Sequence, residues 1–201
     1  MTVRLRETGT TGVRPLGALL PSLPRGAWIL ASTALLGFVM IGWLASSGTT
    51  FPISQGQETH RPWGMVWQIF AHNTGASLLL FAGVATGGIA TLASLPVLGM
   101  YIGTVVRATS NSIGMHAASE ILATYFVLEF IGLALSAVCG VAPLLACVSW
   151  WRRRSGDGPV PKREVIRVYL DSAGRALRWM VLAELVLLLA AWLEVLGGIP
   201  R

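Results

Sequence analysis

His116 and Glu120 stand four residues apart at the start of an apolar run that reaches Trp151. On a helix two such residues lie about 40° apart and can touch. An imidazole with an ordinary pKa near ~6.5 and a carboxylate form an acid–base pair. Two readings stay open: a hydrogen-bonded clamp that fixes helix packing, or a pair that handles a proton or a substrate. Ser119 points roughly 100° away from Glu120, so no Ser-His-Glu triad forms. Glu129 falls about 180° around the same helix from Glu120 and can join the pair only through another helix. His116, Glu120 and Glu129 are therefore the catalytic candidates.

Other polar side chains sit in equally apolar surroundings. Glu184 lies nearer the inner end of the last apolar run, within reach of Arg178 or Arg154, and Glu194 lies near its outer end, close to water. Arg107 either pairs with Glu120 or extends to lipid headgroups. Asn73 is placed to cap the helix that follows it. An ionised group at a bilayer centre costs about 2.5–3.5 kcal/mol on insertion scales. Side chains of this kind glue helices together or meet a proton, an ion or a substrate.

The elements that position these residues are membrane helices. The chain is 54% hydrophobic and 12% charged, against about 25% charged in soluble domains. Trp28–Ala45 and Thr74–Val106 carry no charge, and Val181–Leu196 carries only Glu184 and Glu194. A hydrocarbon core of ~30 Å needs about 20 apolar residues. The composition thus predicts an all-α, polytopic integral membrane bundle of about five transmembrane helices with added interfacial amphipathic helices. The net charge of +6 is spread over basic clusters that flank apolar runs: Arg4 to Arg25, Arg152–Arg154 and Lys162–Arg178. This is the positive-inside pattern and points to anionic lipid headgroups, not to nucleic acid.

Residues 1–26, with Pro15, Pro21 and Pro24, read as a basic cytoplasmic leader, and 27–201 as one transmembrane domain. The predicted spans are 27–45, 74–92, 94–112, 117–150 and 178–197, with Trp28 and Trp43 as interface anchors of the first. Ser46–Pro62 is a polar outer loop containing His60, and Trp63–Phe70 a short interfacial helix. Pro96 interrupts the 74–106 run, so its second span is expected to be short or irregular. Gly83/Gly87 and Gly99/Gly103 are GxxxG steps, which allow another backbone to approach closely. Arg107–Gly114 reads as a polar connector, and Arg163–Arg178 as a surface amphipathic helix with Val165, Ile166, Tyr169, Ala173 and Ala176 on one face. Cys139 and Cys147 lack ligand spacing and read as buried free thiols. Neither a metal site nor a cofactor is expected, since zinc spacings, phosphate loops and dinucleotide fingerprints do not occur. These features predict a multi-pass protein of the cell membrane with a cytoplasmic N-terminus.

With the segments in place, the chain resembles the stage II sporulation protein M family. The resemblance is carried by IFAHN (Ile69–Asn73), AGVATGGIATL (Ala82–Leu92), GMYIG (Gly99–Gly103) and HAASE (His116–Glu120), with a weaker echo in AAWLEVLGGIP (Ala190–Pro200). Leu98 stands where the family usually has Asn, and Met115 and Ala117 flank the motif histidine in place of Pro and Gly. The resemblance implies a bacterial membrane scaffold that works with other proteins; the named member acts alongside cell-wall-degrading partners. The expected function is therefore a subunit of a membrane complex, bound to another membrane or membrane-associated protein. One alternative is a membrane-embedded enzyme subunit that modifies a hydrophobic peptide or lipid, by dehydration or epimerisation in the peptide case. The other is a transporter component.

Overall fold

The computed structural model of the chain describes residues 22–50, 63–154 and 162–196, with backbone alone for 121–125. The leader up to residue 21, most of the expected outer loop with His60, and the last five residues lie outside the described residues. Among the described residues five α-helices follow one another: α1 (Arg25–Ala45), α2 (Gly64–Phe81), α3 (Ile89–Ile113), α4 (Met115–Arg154) and α5 (Lys162–Leu196). Four of them, α1, α3, the Phe126–Arg154 part of α4, and α5, are long and apolar enough to cross a membrane.

The contacts fix the direction of each helix. Gly99 of α3 faces Leu35 and Phe38 of α1, and Gly103 faces Val39 and Trp43, so α1 and α3 run parallel. Asn73 meets Glu129, Ser77 meets Ser136, and Leu80 meets Gly140, so α2 and α4 also run parallel to each other. α5 returns antiparallel to α4: Gly132 lies against Leu187, and Arg154 pairs with Glu164. Gly26 of α1 lies beside Leu145, late in α4, which sets α1 against the direction of α4. One end of the bundle therefore gathers Arg25, Arg152–Arg154 and the Lys162–Arg175 stretch. Ala45, Ile113, Met115 and Leu196 mark the opposite end.

Several boundaries differ from the sequence expectation. The 74–92 span does not exist as such, because Gly64–Phe81 is one helix and the chain turns at 82–88. The interfacial piece at Trp63–Phe70 is simply its first half, and His72 and Asn73 lie within it. Gly87 (φ 63°) and Gly88 (φ 89°) adopt the left-handed conformation that other residues resist, and this ends the second apolar element. A side chain at Gly88 would also press on Leu144. Gly83 and Gly87 therefore do not share a helical face: Gly83 sits in a 3₁₀ turn against Thr91 and Gly140, while Gly87 has open space around it.

α3 continues through Pro96 and absorbs the expected polar connector up to Ile113, where Gly114 (φ 85°) breaks the chain. The amphipathic segment and the last span are one helix of 35 residues. Within it Ser172 and Ala176 are buried, but Ile166 is exposed rather than part of the packed face. Trp28 packs edge-on against Trp179 at 5.7 Å and is half-buried in the bundle.

α1 and α3 approach closely along a seam of glycines. A Cβ on Gly99 would lie 2.6 Å from Phe38 Cβ, one on Gly103 2.6 Å from the Trp43 nitrogen, and one on Gly42 2.7 Å from Met100 Cα. The Gly42 and Gly103 contacts are to backbone atoms and the Gly99 contact is to the first side-chain carbon of Phe38, so nothing flexible is there to give way. Gly103→Ala should therefore destabilise the detergent-solubilised protein by about 1–3 kcal/mol, the usual cost of overpacking. Gly37→Ala, with nothing within 4 Å, should leave the melting temperature unchanged.

Candidate functional site: a carboxylate cluster between three helices

α2 carries Asn73, Thr74 and Ser77 on neighbouring positions of one face. That face meets α4 and α5, and each polar group finds its partner on another helix. Asn73 Nδ2 donates to Glu129 Oε1 at 2.5 Å. Thr74 Oγ1 donates to Glu184 Oε2 at 2.6 Å, and Ser77 Oγ to Glu184 Oε1 at 2.7 Å. Each oxygen of Glu184 thus accepts one hydroxyl. Ser77 and Ser136 are both fully buried, with their oxygens 2.7 Å apart. Since Ser77 spends its single proton on Glu184, Ser136 supplies the proton of that contact or turns to the Gly132 carbonyl at 2.9 Å. Glu194 stands within electrostatic range of Glu129.

This arrangement relocates the centre of interest. Glu129 is joined to another helix, but to Asn73 of α2 and not to the His116 pair. Glu184 bonds α2, while Arg154 is taken by Glu164 and stacks on Trp150. Asn73 is an interhelical donor in mid-helix, not a cap. Thr74, Ser77 and Ser136 were not singled out in the sequence. Their signal was available, because small hydroxyl residues in apolar helices bond across helices where no water competes.

His116 and Glu120 do meet, Nδ1 to Oε1 at 3.5 Å, with Ser119 Oγ donating to the His116 carbonyl. Their side chains are 90% and 62% exposed. The reason is length. α4 has 40 residues and is about 60 Å long, twice the hydrocarbon thickness. Arg152–Arg154 close the far end of α4, and about 20 residues suffice to cross the hydrocarbon, so His116 and Glu120 at its opposite end belong to an overhang. Arg107 lies near the same end with its guanidinium over the Trp43 ring, 4.9 Å from the centroid. Cys139 is buried and Cys147 half-buried, both as free thiols.

The family model described as stage II sporulation protein M matches residues 28–196. The chain belongs to this family. The match spans all five helices and includes both the carboxylate cluster and the His116 pair. No curated protein and no solved structure matches the chain. Apolar helices and family together make this a membrane protein.

The strength of the cluster can be measured directly. Interhelical hydrogen bonds in membranes average about 0.6 kcal/mol and reach about 1.7. A double-mutant cycle of Ser77→Ala with Glu184→Ala, followed by denaturant titration in detergent, should give a coupling energy in that range. The pair Ser77→Ala and Glu120→Ala, which do not touch, should add within about 0.5 kcal/mol.

Proposed function

We propose that the chain is a multi-pass subunit of a membrane complex, with α2 as a fifth and shorter crossing and the N-terminus on the cytoplasmic face. The alternation of helix directions supports five crossings. The basic end, with Arg152–Arg154 and the Lys162–Arg175 stretch, supports the orientation, because cationic flanks stay on the cytoplasmic side. The observation that carries the subunit reading is the use made of the intramembrane polar groups. Asn73, Thr74, Ser77, Glu129 and Glu184 are engaged in bonds between helices, which is what a rigid scaffold needs.

The groups that face outward lie in the α4 overhang, on the side opposite the basic end. His116 and Glu120 offer a hydrogen-bonding surface there to another membrane or membrane-associated protein. The enzyme reading requires an acid–base pair shielded from water, and the exposure of His116 withholds that shielding. A transporter reading rests instead on Glu129 and Glu184 as carboxylates at membrane depth.

A pull-down from native membranes in mild detergent separates these readings. His116→Ala and Glu120→Gln should release a stoichiometric partner without lowering the melting temperature. If both variants keep the partner while the activity of the assembly is lost, the pair is chemical and the subunit reading fails at this site. If only Glu129→Gln or Glu184→Gln abolishes activity with the partner retained, the transporter reading replaces it.

A further inference from the structure

At the basic end, an open pocket of about 400 Å³ lies between the segment preceding α1, the last turns of α4 and the first half of α5. Its polar lining comprises Ser22, Ser149, Trp150, Arg153, Asp171 and Arg175. Nε of Arg175 is buried and has no hydrogen-bond partner among the described residues. A guanidinium N–H withdrawn from water without an acceptor is costly, and the acceptor that suits it best is an anionic oxygen. Asp171 does not supply it. Its carboxylate faces Arg167 one turn earlier on α5, at 4.0 Å, and lies on the exposed side. Arg154, next to Arg153 on α4, is held by Glu164. Arg153 and Arg175 therefore remain as two cations lining one pocket, with the Ser22 and Ser149 hydroxyls as further donors.

We propose that this pocket binds the phosphodiester headgroup of an anionic phospholipid. The shared chemistry is a phosphate, and its surroundings choose the source. The pocket lies at the ends of α1, α4 and α5, each of which holds a stretch long and apolar enough to cross a membrane. A phosphate held there stands where those helices leave the hydrocarbon, so a lipid that carries it keeps its acyl chains along their apolar stretches, a contact free phosphate lacks. A basic pocket between helices on the cytoplasmic face is where such headgroups are recognised. The headgroup would also tie three separate parts of the chain together at the point where the helices leave the hydrocarbon. The proposal rests on the membrane reading and its orientation.

The test is native mass spectrometry of the full chain in a neutral detergent, titrated with phosphatidylglycerol and, separately, phosphatidylcholine. Wild type should bind one phosphatidylglycerol in preference to phosphatidylcholine. Arg153→Gln and Arg175→Gln should each weaken that binding about fivefold, the share of one basic residue near the headgroup. Arg152→Gln removes the same charge beside the pocket and should change it less than twofold, a difference set by position and not by net charge. Arg175→Lys keeps the charge but loses the planar fork. It should fold and bind at an intermediate level, so a folding defect in Arg175→Gln does not decide the result. Equal losses for Arg152→Gln and Arg153→Gln would overturn the pocket in favour of diffuse attraction. Displacement of the lipid by millimolar inorganic phosphate, with retention of that phosphate, would assign the pocket to a free anion and overturn the lipid. The membrane reading is checked separately by carbonate extraction of native membranes. Release of the chain there would defeat that reading, whatever the lipid titration gives.

Discussion

Helices in a bilayer gain nothing from hiding apolar surface from one another, because lipid tails are as apolar as leucine. Close packing must replace the hydrophobic effect, and here it depends on positions without a side chain. Gly42, Gly99 and Gly103 bring the backbones of α1 and α3 together. Gly83 and Gly140, with Thr91 between them, do the same where α2, α3 and α4 converge, and Thr91 donates to the Leu80 carbonyl at 2.5 Å. The second contact governs the site. It holds α2 against α4 at Leu80, so that Ser77 reaches Ser136 and Asn73 reaches Glu129 further along the same pair. α5 then closes on both, with Leu187 set over Gly132 and Glu184 under Thr74 and Ser77. The polar bonds give direction to a contact that the glycines make short enough.

The class of fold was legible because composition alone excludes a soluble core. Gly99 and Gly103 lay at a spacing with one physical use, and they lie on that seam. The boundaries were harder. Thr74–Val106 holds no charge and several glycines, so nothing in the hydropathy says where it turns. The decisive signal was Gly87–Gly88, a pair able to take two successive positive φ angles. Asn73 misleads for a different reason. Its capping preference is a local property, while its actual partner is Glu129, 56 residues away. Local propensity yields to a long-range bond when the medium offers no water as a competitor.

The site divides along the same line. Helical geometry alone placed Glu129 on the opposite face from Glu120 and required a second helix for it. It did not say which helix, since that information belongs to packing. Glu184 illustrates the limit further. Arg178 and Arg154 are its expected partners by charge, yet two neutral hydroxyls hold it. Arg154 is satisfied by Glu164 at the end of the bundle, where a fully charged pair has access to water and costs less to form.

Helix length finally explains why this small protein has surfaces to offer at both ends. α4 has 40 residues, about 60 Å, and α5 has 35 residues, about 52 Å, where about 30 Å suffices. The excess projects in opposite directions. One overhang carries His116 and Glu120, and the other carries Arg175 and the pocket it lines. Both are rigid extensions of helices anchored in the core, so groups on them hold their positions without the entropy cost of ordering a loop. The half-buried carboxylates bond the helices whose excess length makes those two overhangs, and the proposed role as a membrane subunit depends on the two being held in fixed relation.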